Sequence, residues 1–375
     1  MKFQNIYSLF REQTAKYRGN PVFYWRENDA WKSDNWEDFE ERVHDFACAL
    51  LAKGLTRGTS VAILAGNVAE WTIVDVATIA AGDVGVGIYP TSSRDQCEFI
   101  INHSDAEFLF VDSQKQLEKI LDIGEPLPKL KEIIFLEKPE DFSFEAVHKQ
   151  ERSFWKFRSI TVKEIPITQY QDFLAFGRKQ RKEFLPKVEE IGYSAKFDEI
   201  AIMVYTSGTT GQPKGAMLSH EYILNSLESL RQTIPIYDTD VSFSYLPGCH
   251  VAERISGIYN RLYNGAAAYF VDDLSKLYAY MLEVKPTVFA SLPRFFEKIY
   301  AKVVSENGKQ TNAQTLKDAF GGRIRLATSG GAPLPNEIAD FFARREKFDK
   351  EVPNSELIVF DRCGHVPQVE KSVGI

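Results

Sequence analysis

Short apolar strands that alternate with amphipathic helices predict an α/β protein with layered, mostly parallel sheets flanked by helices. One such strand is Val61–Leu64, and a second, Val84–Tyr89, follows after a mostly apolar helix. This β-α-β order implies parallel pairing, since two parallel strands need a crossover between them. The 375 residues, 44% of them hydrophobic, are enough to bury sizeable cores and predict two or more lobes.

The first third of the chain repeats this alternation. Apolar residues at helical spacing from Phe39 to Leu51 predict a helix that Gly54 ends. The further predicted elements are the strand 61–64, the helix 71–81, the strand 84–89, the helix 95–102, the strand 108–111, the helix 117–121 and the strand 133–136. From about 138 to 195 the periodicity weakens and the charge rises, which predicts surface helices and a connection.

Composition excludes several classes of function. With 45 basic and 52 acidic residues the net charge is −7, which argues against a nucleic-acid-binding protein. Cys48, Cys97, Cys249 and Cys363 are far apart and form no CxxC pair, so no metal site or disulfide framework is predicted and a reducing compartment is favoured. The N-terminus lacks an apolar signal core and no apolar run is long enough to span a bilayer. A cytoplasmic protein is predicted, and peripheral contact with a membrane is left open.

The apolar run Ile200–Met203 continues into a stretch rich in glycines and hydroxyl groups, Val204–Gly215. This pattern predicts a strand that opens into a loop whose backbone N–H groups, hydroxyls and one lysine could bind a polyphosphate. A solvated turn is the alternative, because the same residues are common in ordinary loops. The GxxxxGK[ST] spacing fails at Pro213. The candidate ligand-binding residues are Thr206, Ser207, Gly208, Thr209, Thr210, Gly211 and Lys214.

This loop closely resembles the signature loop of the adenylate-forming enzymes, which include the acyl-CoA synthetases. Trp36–Gly54, Val61–Asn67 and Gly87–Ser93 are similar to the N-terminal lobe of the long-chain fatty acyl-CoA synthetases, and the resemblance extends from about residue 6 to 344. It implies the fold of that lobe, with ATP and Mg²⁺ as cofactors and with a fatty acid and CoA as substrates.

A second motif begins where the strand at Phe243 stops at Pro247, and it carries His250, Glu253 and Arg254. Read alone, His250 could be a packing residue, and Glu253 with Arg254 could be a surface ion pair. A strand end in an open α/β sheet is, however, where ligands usually bind. In the long-chain synthetases a similar segment lies beside the acyl and nucleotide site, which implies a catalytic and substrate-binding role for His250 and a substrate-binding role for Glu253.

Two further strand-turn-helix patterns follow. Lys285–Arg294 resembles the family segment that lines the acyl tunnel, so Tyr259, Phe289 and Leu292 could contact a fatty chain; core packing is the alternative. Leu326–Pro335 resembles the family turn that lies against adenine. The resemblance implies that this turn binds the nucleotide through Gly330, Gly331, Ala332 and Pro333.

The resemblance stops near residue 345. We expect residues 1–345 to form a truncated synthetase lobe and residues 346–375 to be a foreign tail that is similar to the last strand and His loop of an α/β-hydrolase. Two alternative functions follow, an esterase with His365 as its general base and a non-catalytic nucleotide- or acyl-binding remnant. No G-x-S-x-G nucleophile motif occurs.

The family reaction has two steps. A fatty carboxylate attacks the α-phosphate of ATP to give acyl-adenylate and pyrophosphate, and the CoA thiol then displaces AMP. The resemblance implies that Thr206, Lys214 and a magnesium ion stabilise the charge on the phosphates. Because the family's metal-binding Glu, ribose-binding Asp and C-terminal Lys have no counterparts in this sequence, thioester formation is expected to be slow.

Overall fold

The computed structural model describes residues 3–136, 165–206, 212–308, 313–342 and 356–359. The chain divides into two compact units. The first unit comprises Met1–Asn20, Asp34–Leu224 and Leu246–Arg254, and the second comprises Pro21–Ser33, Asn225–Tyr245 and Ile255–Ile375.

The strands are numbered in chain order. They are β1 Pro21–Glu27, β2 Ala30–Asn35, β3 Ser60–Leu64, β4 Val84–Ile88, β5 Ala106–Val111, β6 Glu132–Phe135, β7 Ile167–Gln169, β8 Ile200–Thr206, β9 Lys214–Ser219, β10 Val241–Ser244, β11 Ala267–Phe270, β12 Val288–Ser291, β13 Leu326–Ser329 and β14 Glu356–Val359.

The helices are α1 Ile6–Tyr17, α2 Trp36–Ala52, α3 Ala69–Ala80, α4 Arg94–His103, α5 Gln114–Leu121, α6 Tyr170–Ser194, α7 His220–Thr233, α8 Asn260–Asn264, α9 Leu277–Val284, α10 Pro293–Asn307, α11 Ala313–Asp318 and α12 Asn336–Phe342. A π-helix runs over Ala252–Tyr259, and a short 3₁₀-helix over Leu274–Lys276.

The sheet of the first unit has the order β7-β6-β5-β3-β4-β8-β9. Its pairs are parallel except for the antiparallel edge pair of β8 and β9. Every residue of β3, β5 and β6 is buried, as expected for central strands of a parallel sheet. The predicted α/β class with mostly parallel sheets is confirmed.

Local sequence explains where several helices begin. Asn5, Asn35 and Ser93 each stand at an N-cap and form a capping box with the third residue of the helix that follows. The α2 helix ends at Ala52 with Lys53 as its C-cap, and Gly54 follows with φ +82°, a left-handed conformation that glycine adopts without strain. The predicted end of the helix at Gly54 is therefore confirmed.

Helix α6 differs from the prediction of surface helices over 138–195. It is one 25-residue helix that packs along α2, and Tyr170 and Phe173 on its inner face are fully buried. Arg181 Nε donates to Asp45 Oδ1 at 2.5 Å, and the Asp45 side chain is fully buried. Because many residues of α6 are charged, the sequence analysis did not recognise the apolar residues that form its inner face. The predicted part from 138 to 164 lies outside the described residues.

Gly177 is a point of close approach between α6 and α2, because a Cβ there would overlap the carbonyl oxygen of Asp45 and lie 3.0 Å from the Ala49 nitrogen. Gly177→Ala should destabilise the fold by about 1–3 kcal/mol, the usual cost of overpacking, although alanine in an exposed helix gains about 1 kcal/mol over glycine. Urea unfolding measures this change. Gly124→Ala, where a Cβ meets no atom within 4 Å, is the control, and equal midpoints for the two variants would contradict the packing.

Asp83 is a buried carboxylate at the amino end of β4, only 3% exposed. Its Oδ1 accepts from the Gly58 amide at 2.7 Å and the Thr59 amide at 3.2 Å, whereas Oδ2 has no hydrogen-bond partner. Burial raises the pKa of Asp83 from 3.8 to about 7, and the two amides oppose that rise. Between pH 3.8 and about 7 the folded protein therefore keeps a proton on Asp83 that the unfolded chain releases.

Because the folded pKa is raised, the contribution of Asp83 to stability is full below pH 3.8 and is lost as the pH rises towards 7. Asp83→Asn should therefore gain thermal stability relative to the unmodified chain as the pH rises from 4 to 7. Melting curves at several pH values, with the exposed Asp29→Asn as control, measure this difference. Parallel pH profiles for Asp83→Asn and the unmodified chain would show that Asp83 does not couple protonation to folding.

The second unit contains two smaller sheets, with the orders β10-β11-β1-β2 and β12-β13-β14. The β1–β2 hairpin, which the sequence analysis missed, turns at Asn28 and Asp29 with φ +49° and +57°. Two consecutive positive φ values are typical of a type I′ hairpin turn, so this Asn-Asp pair was a usable signal. The predicted strand in the tail is present as β14, which pairs in parallel with β13.

Within the described part of the chain, none of the helices is long and apolar enough to cross a membrane.

Candidate active site

The carboxyl ends of β3, β4, β5 and β8 lie at one edge of the large sheet, because these strands are parallel. Thr206 is the last residue of β8, and Tyr89 follows the end of β4. Polar side chains that follow parallel strands meet at this edge, which is where open α/β sheets bind ligands. This edge is the candidate site of the first unit.

Thr206 and Lys214 lie directly opposite each other across the antiparallel pair of β8 and β9, and both side chains are exposed. The structure therefore brings together these two predicted ligand-binding residues, one at each end of the predicted loop. The loop is shorter than expected, since Lys214 and Gly215 belong to β9. Five predicted residues, Ser207, Gly208, Thr209, Thr210 and Gly211, lie outside the described residues and stay predictions.

His250 is half-buried and lies against Tyr89 in an edge-to-face contact, with the ring centroids 6.3 Å apart. Its Nδ1 accepts from the Ala252 amide at 3.1 Å, which leaves Nε2 as the nitrogen that carries the proton in the neutral ring. Because Tyr89 follows β4 and Thr206 ends the adjacent β8, His250 stands at the same edge as Thr206. Its catalytic and substrate-binding roles stay predictions.

The turn before His250 lies tightly on the sheet. A Cβ on Gly87 would lie 2.6 Å from Cys249 Cβ, and a Cβ on Gly248 would lie 2.7 Å from the Trp71 ring. Cys249 is 1% exposed, and burial raises the pKa of its thiol to about 12. The two glycines thus allow a close approach that holds the turn, and His250 with it, at the carboxyl edge.

Glu253 and Arg254 do not form the surface ion pair that the sequence analysis considered. Arg254 is fully buried and pairs with Asp75 of α3, and Glu253 is only 5% exposed. Asp75 was missed, although a single aspartate within the otherwise apolar helix 71–81 was a signal for a buried charge partner. Glu253 and Arg254 lie in the first turn of the π-helix that begins at Ala252. Helices of this type are frequent at functional sites.

In the second unit Gly330, which follows β13, donates its amide to the Ser291 carbonyl at 3.2 Å and so joins the ends of β12 and β13. Gly331 has φ +81°, and a Cβ there would lie 2.9 Å from Leu292 Cδ2. Leu292 is 50% exposed. The structure therefore places Leu292, a predicted acyl contact, against the turn Gly330–Pro333 that was predicted to bind adenine.

Tyr259 and Phe289, the other two predicted acyl contacts, are buried at 0% and 1% exposure. The Phe289 ring packs on Tyr245, Phe295 and Phe296. These contacts correspond to the core packing that the sequence analysis kept as the alternative. The acyl-binding role of both residues stays a prediction, and His365 lies outside the described residues.

Thiol labelling tests the seating of the 248–250 turn. In a Cys363→Ser background Cys249 should resist a maleimide at pH 7.5, because the thiol is buried and protonated. Gly87→Ala should raise the labelling rate of Cys249 at least about fivefold, since overpacking of about 1 kcal/mol or more favours opening of the turn.

Gly124→Ala provides the matched control, and Cys48 and Cys97, both buried, serve as references within each sample. Mass spectrometry of the labelled peptides separates the three sites. If Gly87→Ala raises all three rates alike, the variant has loosened the whole fold and the local contact of Gly87 with Cys249 is not what holds the turn.

Residues 10–353 match the family model described as AMP-binding enzyme. The long-chain-fatty-acid–CoA ligase ACSBG2 of Xenopus laevis is 31% identical over 343 residues, which are 88% of this chain and 43% of the relative. The ligase of the same name from Homo sapiens is 33% identical over 320 residues, 84% of this chain and 44% of the relative. The chain thus spans less than half of the length of these relatives.

Solved structures share the fold. The A domain of carboxylic acid reductase from Segniliparus rugosus, in complex with AMP and a co-purified carboxylic acid, superposes with a TM-score of 0.74 at 18% identity, covering 95% of this chain and 59% of that one. A fatty acyl-adenylate ligase from L. pneumophila, in complex with acyl adenylate and pyrophosphate, gives a TM-score of 0.64 at 17% identity, covering 92% and 53%.

Proposed function

The chain belongs to the AMP-binding enzyme family, and we propose that it supplies the nucleotide- and acid-binding part of a long-chain-fatty-acid–CoA ligase. The observation that carries the proposal is the pairing of Thr206 with Lys214 at the carboxyl edge of the large sheet. It brings a hydroxyl and an ammonium group to the two ends of one loop. The curated relatives, which are named as ligases of this kind, support the choice of substrate.

In the proposed reaction the fatty carboxylate attacks the α-phosphorus of ATP, a phosphorus–oxygen bond to the acid forms and pyrophosphate leaves. Negative charge moves onto the departing phosphates, and donors fixed in place stabilise it without reorganisation. Lys214 and the Thr206 hydroxyl would bind these oxygens, with the amides of the loop between them. The CoA thiol then attacks the acyl carbon and releases AMP.

His250 is proposed to contact the substrates from the side of β4, where Tyr89 holds its ring. In the second unit the turn Gly330–Pro333 is proposed to bind adenine. Leu292, half-exposed against Gly331, is proposed to contact the acid. Each of these roles concerns binding and orientation, since the reaction needs no side-chain nucleophile.

Magnesium is proposed to enter with ATP. Among the described residues no group of three or more His, Cys, Asp or Glu side chains could hold a metal ion. Mg²⁺ is commonly bound through substrate phosphates and only one or two carboxylates, which agrees with delivery as the ATP complex.

A reducing compartment such as the cytoplasm is proposed because Cys48, Cys97 and Cys249 are buried free thiols in the described part of the chain. Contact with a membrane surface, from which a fatty acid could enter, would be peripheral. The division of the chain near residue 345 also stays a proposal, since that boundary lies outside the described residues.

Calorimetric titration with ATP tests the phosphate-binding role. Lys214→Ala should weaken binding about tenfold or more, because it removes a charged hydrogen-bond donor worth about 1.5–3 kcal/mol. Met217→Ala on the same strand, where the side chain is 63% exposed, should leave the affinity unchanged. Equal affinities for all three proteins would overturn the assignment of the loop.

The reaction itself is tested by following pyrophosphate release from ATP with saturated fatty acids of different chain lengths. Release that depends on both ATP and the acid supports the ligase. If ATP binds but no pyrophosphate is released with any of the acids, the result supports a non-catalytic nucleotide-binding protein. Ester hydrolysis that His365→Ala abolishes would instead identify a hydrolase.

A further inference from the structure

The guanidinium group of Arg254 is a fully enclosed charge of the first unit, with its side chain and that of Asp75 both 0% exposed. Nε donates to Asp75 Oδ2 at 3.1 Å, and Nη2 donates to Asp75 Oδ1. Such a two-pronged pair fixes the plane of the guanidinium group as well as its place. The Trp71 ring, 5.0 Å from the guanidinium carbon, closes one side.

The remaining donors reach the backbone of two strands. Nη2 also donates to the Gly85 carbonyl of β4 at 3.0 Å, and Nη1 donates to the Met203 carbonyl of β8 at 3.3 Å. Gly85 and Met203 each stand three residues before the last residue of their strand. One side chain therefore connects α3, β4 and β8 close to the edge where Tyr89 and Thr206 lie.

The segment that carries Arg254 also carries His250, and the Arg254 amide donates to the His250 carbonyl at 2.9 Å. Gly85 is required at this point, because a Cβ there would overlap the Asp75 carboxylate and Arg254. The position of His250 is thus tied to the same two strands that present Tyr89 and Thr206.

We propose that Arg254 is a positioning residue for phosphate binding, which holds β8 and the 247–254 segment in register so that Thr206 and His250 face one ligand. The proposal rests on the proposed function. It assigns to Arg254 no contact with substrate, since the side chain is fully enclosed and acts through the carbonyl groups of Gly85 and Met203.

The competing explanation is that the pair with Asp75 only stabilises the fold. Buried ion pairs often contribute little net stability, yet removal of one partner is costly because the other charge is left uncompensated. A loss of stability therefore cannot distinguish the two explanations. The distinction needs a second arginine in the same unit that is largely enclosed and paired without reaching β4 or β8.

Arg42 is that control. It is 17% exposed, pairs with Asp34 and Glu70, and donates to the Tyr170 hydroxyl at 3.4 Å. These partners lie in or beside β2, α3 and α6. Arg254→Met and Arg42→Met would be compared by ATP titration at temperatures where both variants have the same free energy of unfolding.

Arg254→Met should weaken ATP binding at least about tenfold, the loss expected when one hydrogen bond to a charged phosphate is misaligned. Arg42→Met should change it by less than about twofold. Hydrogen exchange without ATP gives a second readout, in which Arg254→Met should speed exchange of the amides in β8 and of residues 248–251, and Arg42→Met should not. Arg254→Lys, which keeps the charge without the fork, replaces Arg254→Met if that variant does not fold.

Equal losses of affinity and equal exchange in the two variants would overturn the positioning role and leave Arg254 as a stabilising residue. If the unmodified chain binds no ATP, the proposed phosphate site fails. The exchange measurement then still decides whether Arg254 holds β8 and the 247–254 segment together. Faster exchange confined to the Arg254 variant supports the coupling, and uniform exchange rejects it.

Discussion

A parallel sheet has to be covered on both faces, and this constraint determines where the first unit can bind a ligand. The strands β3, β5 and β6 are wholly buried, so their side chains pack into the core and cannot contact a ligand from solution. Polar groups that could bind a ligand are therefore found at or just beyond the strand ends. Thr206, Tyr89 and the 247–254 segment lie at the carboxyl ends for this reason.

Close approach between elements depends repeatedly on a missing side chain. Gly177 allows α6 to lie on α2, Gly85 makes room for the pair of Asp75 with Arg254, and Gly87 lets Cys249 rest on β4. Glycine is less favourable than alanine within a helix or strand, but at each of these positions it permits a tertiary contact that a Cβ would disrupt. The result is that the elements at the carboxyl edge pack closely, with no room for a further side chain at Gly85 or Gly87.

Local pattern was sufficient to predict the elements whose apolar spacing agrees with their environment. The strands from β3 to β6 and the helices α2 to α5 belong to this group, because each presents an uninterrupted apolar run or stripe. Strand β9, in contrast, reads Lys-Gly-Ala-Met-Leu-Ser and has low intrinsic strand preference. It is a strand because it pairs with β8 across the intervening loop, and the residue types of β9 alone do not indicate that pairing.

The candidate site divides in the same way. Thr206 and Lys214 could be proposed from sequence because glycines and hydroxyls mark loops at strand ends, and the turn Gly330–Pro333 was proposed from the family resemblance. Asp75 could not be assigned, since its partner Arg254 lies 179 residues further along the chain. Only the fold shows that Arg254, for which a surface ion pair was an alternative, is enclosed.

Burial of the Asp75–Arg254 pair has a cost in free energy. Taking a carboxylate and a guanidinium group out of water costs several kcal/mol for each ion, and an apolar pair of similar volume would often serve stability as well. An apolar pair could not, however, donate to the carbonyl groups of Gly85 and Met203. The guanidinium fork has five donors in a fixed plane, and Arg254 directs them at α3, β4 and β8 together. The guanidinium group therefore contributes hydrogen bonds in fixed directions to both strands. Such bonds can align the strand ends on which the candidate site is built.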